Sequence, residues 1–283
     1  MVKKKAAKPK MKRRKTRAKK RMAERADAHA LYEQAVQCVE VDIDFVEETF
    51  QRLRGRKAHS LREDFCGTAN AAWEWVRRRS GNTAIGVDLN QTVLDWGMAH
   101  HIAKLPPRAA NRIKLIRDDV MTVRTELVDA VLAMNFSYWV FKERSAMRRY
   151  FRRVGSSLVK DGILYLDAFG GYEAFTVLRE RTKQDGFTYI WHQADYNPIS
   201  GDILCHIDFK FEDGSVLKRA FTYDWRLWTL PELTELLIEA GFTRATVYWE
   251  GTDEETGEGD GHFYPTTRGE PDAGWIAYIV AEK

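Results

Sequence analysis

Between residues 58 and 169 five short apolar runs, at 58–65, 83–89, 113–118, 128–136 and 162–169, alternate with helical patterns at 68–79, 91–103 and 142–158. Ala69, Ala72, Trp73 and Val76 fall on one face of the first helical stretch, and Met147, Tyr150, Phe151, Val154 and Leu158 on one face of the third. Runs separated by helices cannot pair as hairpins. They predict a parallel sheet with helices on both faces, the doubly wound α/β class.

The flanking segments read differently. Leu31, Ala35 and Val39, then Ile43, Val46, Phe50 and Leu53, recur at helical spacing, and Asp44 with Glu47 resembles a capping box. Two helices are predicted there, over 26–40 and 45–54, the second stopped by Gly55. After Gly170-Gly171 the pattern predicts a helix over 172–183 and three antiparallel strands at 187–196, 202–212 and 215–228. Asp213-Gly214 marks the last hairpin. Thr229 and Glu232 form a second capping box, opening a helix over 231–240 that Gly241 closes. Strands at 243–251 and 274–283 end the chain, separated by a long acidic loop over 252–273, a length that in a compact domain signals function or mobility. The predicted division is a basic tail (1–25), a helical cap (26–57), a core (58–170), a β-rich insert acting as a lid (171–228) and the remainder of the core (229–283).

Charge is distributed unevenly. Residues 1–25 hold 14 Lys and Arg against the single acid Glu24, a net of +13; the whole chain carries +4, so residues 26–283 carry −9. A segment with so few apolar residues cannot offset the entropy of ordering, which predicts disorder for the tail and places any footprint for RNA or another acidic partner there. It lacks the apolar stretch of a secretory signal, and no run long enough to span a membrane follows. Cys38, Cys66 and Cys205 show no disulfide or metal spacing, and the histidines show no metal spacing either, so no metal site is expected. A reducing, cytoplasmic setting is the default, or a nuclear one if the tail is an address.

Three features fall at successive strand ends. A Gly turn at Gly67-Thr68 opens the helix after the first strand, where free backbone N–H groups let another molecule approach closely. Asp88 ends the next strand, 21 residues beyond Gly67, the place from which an acid accepts both hydroxyls of a ribose. Asp118-Asp119 ends the third, where a carboxylate can take the amino protons of an adenine. Together they point to an adenosine cofactor. In these motifs the sequence resembles the class I S-adenosylmethionine-dependent methyltransferases, over about residues 30–283. That resemblance implies S-adenosylmethionine as cofactor and a Rossmann-like sheet of seven strands whose last strand is antiparallel.

The family's first motif, an acid followed by Gly-x-Gly-x-Gly, corresponds to Glu63-Asp64-Phe65-Cys66-Gly67-Thr68-Ala69, in which only the middle glycine is kept. Phe65 puts a ring where the backbone is usually open, so it either packs under the cofactor or closes the pocket. The resemblance further assigns Asp88 with Leu89 to the ribose side, and Asp119 with Val120 to the adenine, Asp118 being the alternate. Tyr32 and Gln37 in an N-terminal helix, and Arg62 beside the first motif, are candidates to hold the methionine carboxylate. A dinucleotide fits less well, because the third glycine that admits a pyrophosphate is missing.

On the substrate side, Asn135-Phe136-Ser137-Tyr138-Trp139 resembles, without its prolines, the Asn-Pro-Pro-Tyr motif that holds a planar amino group. Asn135 and Tyr138 are thus the catalytic candidates, with Trp139 beside them, although an Asn-capped turn with packing aromatics reads equally well. Asp167 ends the fifth strand, either orienting a substrate or anchoring the loop. Trp191, Tyr196, Tyr223, Trp225 and Trp228 in the insert could cage an amine, though alternate aromatics are more often core. Arg226 between two tryptophans is a candidate carboxylate clamp. The arginines of 144–153 and 77–79 read as solvated helix faces, with a phosphate patch the lesser reading. The resulting expectation is methyl transfer to a small molecule, nitrogen before oxygen. Two alternatives stand beside it: an RNA or protein methyltransferase recruited by the tail, and a non-catalytic fold tethered to an RNA-rich assembly.

Overall fold

The computed structural model describes residues 20–252 and 259–283. In chain order its elements are α1 (Ala28–Val36), α2 (Val39–Arg54), β1 (Ser60–Asp64), α3 (Asn70–Arg78), β2 (Thr83–Asp88), α4 (Gln91–His100), α5 (Pro107–Ala110), β3 (Ile113–Arg117), β4 (Val128–Ala133), α6 (Arg144–Ser157) and β5 (Leu158–Gly170). The insert follows as β6 (Leu178–Gln184), β7 (Phe187–Tyr196), β8 (Asp202–Phe211) and β9 (Val216–Arg226), and the chain ends with α7 (Leu230–Ala240), β10 (Arg244–Thr252), β11 (Gly259–Thr266) and β12 (Trp275–Glu282).

The main sheet runs β11-β10-β12-β5-β4-β1-β2-β3. β1 to β5 are mutually parallel, and β12 lies antiparallel between β5 and β10. The doubly wound sheet with an antiparallel last strand is therefore present, enlarged from the seven strands predicted to eight by β11. The order reverses where β4 is laid on the other side of β1, and the carboxyl ends of both strands open on one edge. That reversal is where open α/β sheets bind ligands.

The helices cover the sheet as their apolar stripes require. On α6, Met147, Tyr150, Phe151 and Val154 are wholly buried, a burial contributing about 1.5–3 kcal/mol for each large side chain. Its arginines face outward: Arg144 and Arg148 reach Glu239, and Arg153 donates to the carbonyls of Thr122 and Val123. Arg78 and Arg79 pair with Asp44, Glu47 and Glu74. These arginines are held by internal partners, as the solvated-face reading expects.

Four expectations are corrected. Residues 172–183 are not a helix: a short turn of 3-10 helix (Tyr172–Phe175) precedes β6, which pairs antiparallel with β7 across Asp185-Gly186, with Gly186 at φ 80°. The charged run Arg179-Glu-Arg-Thr-Lys183 reads as a helix surface but serves here as a polar edge strand, a composition that blocks edge-to-edge pairing. α2 starts at Val39, not at residue 45, so Asp44 lies inside it and pairs with Arg78 instead of capping. Within the loop expected over 252–273, β11 forms the sheet edge; residues 253–258 lie outside the described residues. Of the tail expected to be disordered, residues 1–19 lie outside the described residues, but Met22–Glu24 form a 3-10 turn docked on the insert. Met22 N donates to Asp213 Oδ2 at 2.9 Å and Ala23 N to Ser215 Oγ at 3.1 Å. Among the described residues no helix is long and apolar enough to cross a membrane.

Candidate functional site

The loop after β1 keeps the backbone of a glycine-rich turn with a single glycine. Phe65, Gly67 and Ala69 all have left-handed φ, at 56°, 53° and 58°. An L-residue in that region costs about 1–2 kcal/mol, so the surroundings must hold Phe65 and Ala69 there. Cys66 N donates to Val87 O at 3.0 Å, which ties the loop to β2. The Phe65 ring packs against Phe141 and Tyr150, with centroids 5.9 and 5.7 Å away, and Ala69 is wholly buried at the start of α3. Phe65 thus lies against α6 and not across the loop. A side chain built on Gly67 would meet nothing within 4 Å, so the loop is open at its centre.

Carboxylates surround this loop. Asp88 Oδ2 accepts the Gly67 N–H at 2.9 Å, and its Oδ1 accepts that of Asn90 at 2.8 Å. Glu33 on α1 accepts from Thr68 Oγ1 at 2.5 Å and lies 2.7 Å from His101 Nε2. One helical turn on, Gln37 Oε1 accepts from Asn70 at 3.1 Å, so α1 lies across the loop. Glu63 accepts the Ala72 N–H at 2.9 Å at the amino end of α3. Burial, with repulsion from Asp88 and Asp42, pushes its carboxyl up to about 8. Arg62, expected to reach a cofactor carboxylate, does not face the loop: it is 1% exposed and forks onto Asp64 at 2.8 and 3.0 Å. The pair is internal because residues 62 and 64 share the face of β1 that packs under Tyr150, whose hydroxyl also donates to Asp64.

At the next strand ends, Leu89 is 67% exposed, unusual for a leucine beside a buried sheet. Asp118 is exposed and Asp119 half-buried, with Asp119 Oδ1 accepting the Met121 N–H at 2.9 Å; Val120 is buried beneath them. Asp88, Leu89 and Asp119 thus share the sheet edge beside the loop.

The loop after β4 is strained as well. Asn135 and Phe136 have φ of 58° and 56°, and their N–H groups converge on the Asp167 carboxylate at 2.7 and 2.9 Å. Asp167 therefore anchors this loop. Burial, with the nearby Asp42 charge adding to it, pushes its carboxyl up to about 7 against the pull of those two N–H groups.

A cavity of about 670 Å³ opens between this loop, the end of β5, α1, α2 and the inner face of the insert. Asn135, Asp167, Tyr32 and Trp191 line it, as do Tyr223 and Trp225, which stack at 4.3 Å. Among the described residues the Asn135 side-chain amide has no hydrogen-bond partner. Tyr32 thus faces the cavity, whereas its helix neighbours Glu33 and Gln37 reach the loop.

Several residues expected at the substrate are elsewhere. Tyr138 is wholly buried and donates to the Asp167 carbonyl at 2.7 Å, and Trp139 is core; the ring beside Asn135 in the cavity is Phe136. Without the two prolines, residues 137–140 wind into a 3-10 turn that carries the Tyr138 ring inward. Arg226 does not line the cavity. It stacks 3.9 Å over Trp228 and binds Glu232 at 2.8 Å, while Trp228 lines a separate groove of about 400 Å³. Tyr196 packs on Phe175, leaving three of the five proposed cage residues in the cavity wall.

Sequence reasoning missed Asp42 and Tyr278. Asp42 lines the cavity from the first turn of α2 and accepts from the Tyr278 hydroxyl at 2.5 Å. Burial, and the Glu40 charge, push its carboxyl up to about 6 against that hydrogen bond. It was hidden because α2 was predicted to begin after it. Glu33 had a readable signal, since it shares a helix face with Gln37.

No family model matches this chain, and no curated protein sequence matches it. Solved structures do. A S-adenosylmethionine-dependent methyltransferase from Clostridium acetobutylicum ATCC 824 superposes with a TM-score of 0.65 at 15% identity, over 90% of this chain and 96% of that one. CalS10, an amino pentose methyltransferase from Micromonospora echinaspora, gives 0.62 at 17% identity over 90% and 95%. The sugar N-methyltransferase KedS8 from Streptoalloteichus sp ATCC 53650 gives 0.59 at 16% over 91% and 93%. The architecture they share with this chain, from the parallel core through the antiparallel last strands, is the Rossmann-like fold of S-adenosylmethionine-dependent methyltransferases.

Proposed function

We propose that this chain is an S-adenosylmethionine-dependent methyltransferase acting on a nitrogen of a small molecule. The observation that carries the proposal is the loop at 65–69, whose three left-handed positions reproduce a glycine-rich turn with an acid of the next strand on its central N–H. A dinucleotide's pyrophosphate would need that N–H and would face the Asp88 and Glu33 carboxylates. A cationic sulfonium suits the same surroundings.

The residues fit the cofactor. Gly67 leaves open space, Asp88 has lone pairs left for ribose hydroxyls, and the exposed Leu89 beside Asp119 and Val120 offers an apolar seat for an adenine. When bound, S-adenosylmethionine supplies a methyl group activated for in-line displacement. The chain's own work is then alignment and exclusion of water. Asn135, held on the Asp167 anchor with its amide free, orients the acceptor by accepting a hydrogen bond from one of its N–H groups. Asp42 and Asp167 favour the positive charge that develops on a neutral amine nitrogen as it takes the methyl group, and Asp42 is placed to receive the proton the product sheds, which supports nitrogen over oxygen. That KedS8, which shares this fold, is a sugar N-methyltransferase supports the same preference. The insert and α1 together act as a lid, and the basic segment 1–25 as a recruiting arm for an RNA or acidic partner, outside the chemistry.

Transfer of labelled methyl from S-adenosylmethionine to matched panels of primary amines and alcohols tests this reading, run on the whole chain and on one beginning at Lys20. Methylated amine from both chains is the expected result. Label only in alcohols would overturn the nitrogen preference, and label only in RNA or protein, lost with the arm, would overturn the small-molecule reading.

A further inference from the structure

Resting on that reading, we infer that the substrate is a di- or polyamine: the cavity holds separate carboxylate seats for more than one ammonium group, Asp42 beside Asp167 on its floor and Glu173 with Glu180 at its rim. Among the described residues five carboxylates line this cavity, the fifth being Glu250, and no Lys, Arg or His does. Several acids elsewhere are paired, as Glu282 is with Arg54, Asp161 with Arg56 and Glu232 with Arg226. Among the described residues none of the five cavity acids is in an ion pair.

Like charges around an enclosed space repel, more strongly as water is excluded, so the cavity is matched only by a cationic occupant. The acids also differ in how far they are committed. Asp167 gives both oxygens to backbone N–H groups, and Glu250 accepts from Gly261 N at 3.2 Å. Asp42 uses one oxygen on Tyr278, while Glu173 and Glu180 are exposed and their carboxylates accept no hydrogen bond among the described residues. Free acceptors therefore stand at two depths. A monoamine on the floor would leave the rim unmatched, whereas a chain of methylenes between two or more ammonium groups meets both.

The walls suit such a spacer. Tyr32, Tyr189, Trp191, Tyr223 and Trp225 line the space between floor and rim, and Trp191 and Tyr223 lie 6.2 Å apart, centroid to centroid. Aromatic faces accept both methylenes and the cationic ends of an alkylammonium. Burial raises the Asp42 and Asp167 carboxyls, and a neighbouring cation would return them to the ionised form.

Calorimetric titration of the whole chain with spermidine, putrescine and butylamine, at low and at physiological salt, tests the inference. Affinity should follow charge, falling roughly tenfold at each step from spermidine to butylamine. Glu180→Gln, on the exposed rim, should weaken spermidine and putrescine roughly tenfold and leave butylamine unchanged, and Trp191→Ala should weaken all three. Butylamine binding as tightly as putrescine would overturn the proposal, as would amine binding indifferent to both variants, which marks the acidic surface. S-adenosylhomocysteine titrated in parallel separates the two readings. Its binding without amine binding removes this inference and leaves the methyltransferase, and charge-ordered amine binding without it removes the methyltransferase and leaves only a polyamine-binding cavity. Failure of both removes both.

Discussion

Two loops at the same sheet edge use left-handed backbone in different ways. The loop after β1 carries Phe65, Gly67 and Ala69 in that region and spreads their restraint over several contacts: Asp88 on Gly67 N, Glu33 on Thr68, and the packing of Phe65 under α6. The loop after β4 has two such residues in succession, Asn135 and Phe136, and hangs both N–H groups on one acid, Asp167. The first is a cradle shaped for a ligand's backbone approach. The second is a pedestal that presents Asn135 to the cavity, and its dependence on a single side chain makes it the more fragile.

The largest effect should come from breaking the pedestal. Asp167→Ala leaves two N–H groups without an acceptor and should cost roughly 2–5 kcal/mol in urea unfolding, while Asp167→Asn, which keeps one acceptor, should cost less than half as much. An Asp167→Asn variant as stable as the native chain would mean that Asp167 acts by packing alone. The cradle is probed by a pair of glycines. Gly67→Ala should destabilise by about 1 kcal/mol although nothing lies within 4 Å of the added carbon, because φ there is 53°. Gly155→Ala, inside α6 with Phe242 at an ordinary 3.7 Å, should stabilise by about 1 kcal/mol. The same sign for both would contradict the left-handed cradle.

The smallest effect is a pH dependence of the cradle's base. Because the Glu63 carboxyl is raised to about 8 from 4.5, the folded chain binds the extra proton between those values. Stability therefore falls as pH rises and levels off above about 8. Between pH 7 and 8.5 the loss from Glu63 should be about 1 kcal/mol by thermal unfolding, and Glu63→Gln should remove most of it, leaving the smaller loss of the same sign from Asp167, whose carboxyl is raised to about 7. His192 and His206, both lowered by burial, act with the opposite sign and only below their ordinary range.

The cradle was legible in the sequence because it is local. Glu63 to Ala69 are contiguous, and Asp88 and Asp119 follow at the ends of the next two strands. The left-handed state of Phe65 and Ala69 was not legible, since neither residue favours it and only the packed surroundings impose it. The cavity was the harder half. Its walls come from α1, α2, β4, β5, the insert and β12, so Asp42 and Tyr278, 236 positions apart, meet only in the folded chain. Arg226 and Trp228 misled for the same reason: their neighbours in space are Glu232 and Lys142, not a ligand. Residues 172–183 read as helix because an edge strand needs no apolar face to announce it.

The central claim is that the cradle holds S-adenosylmethionine. Calorimetric titration with S-adenosylmethionine and S-adenosylhomocysteine, alongside NAD and on an Asp88→Ala variant, tests it most directly. Both sulfur compounds should bind at micromolar concentration and NAD not at all, with an affinity about a hundredfold lower in the variant, from two lost hydrogen bonds to a charged group. A folded chain that binds neither sulfur compound, or binds them equally well without Asp88, would contradict it.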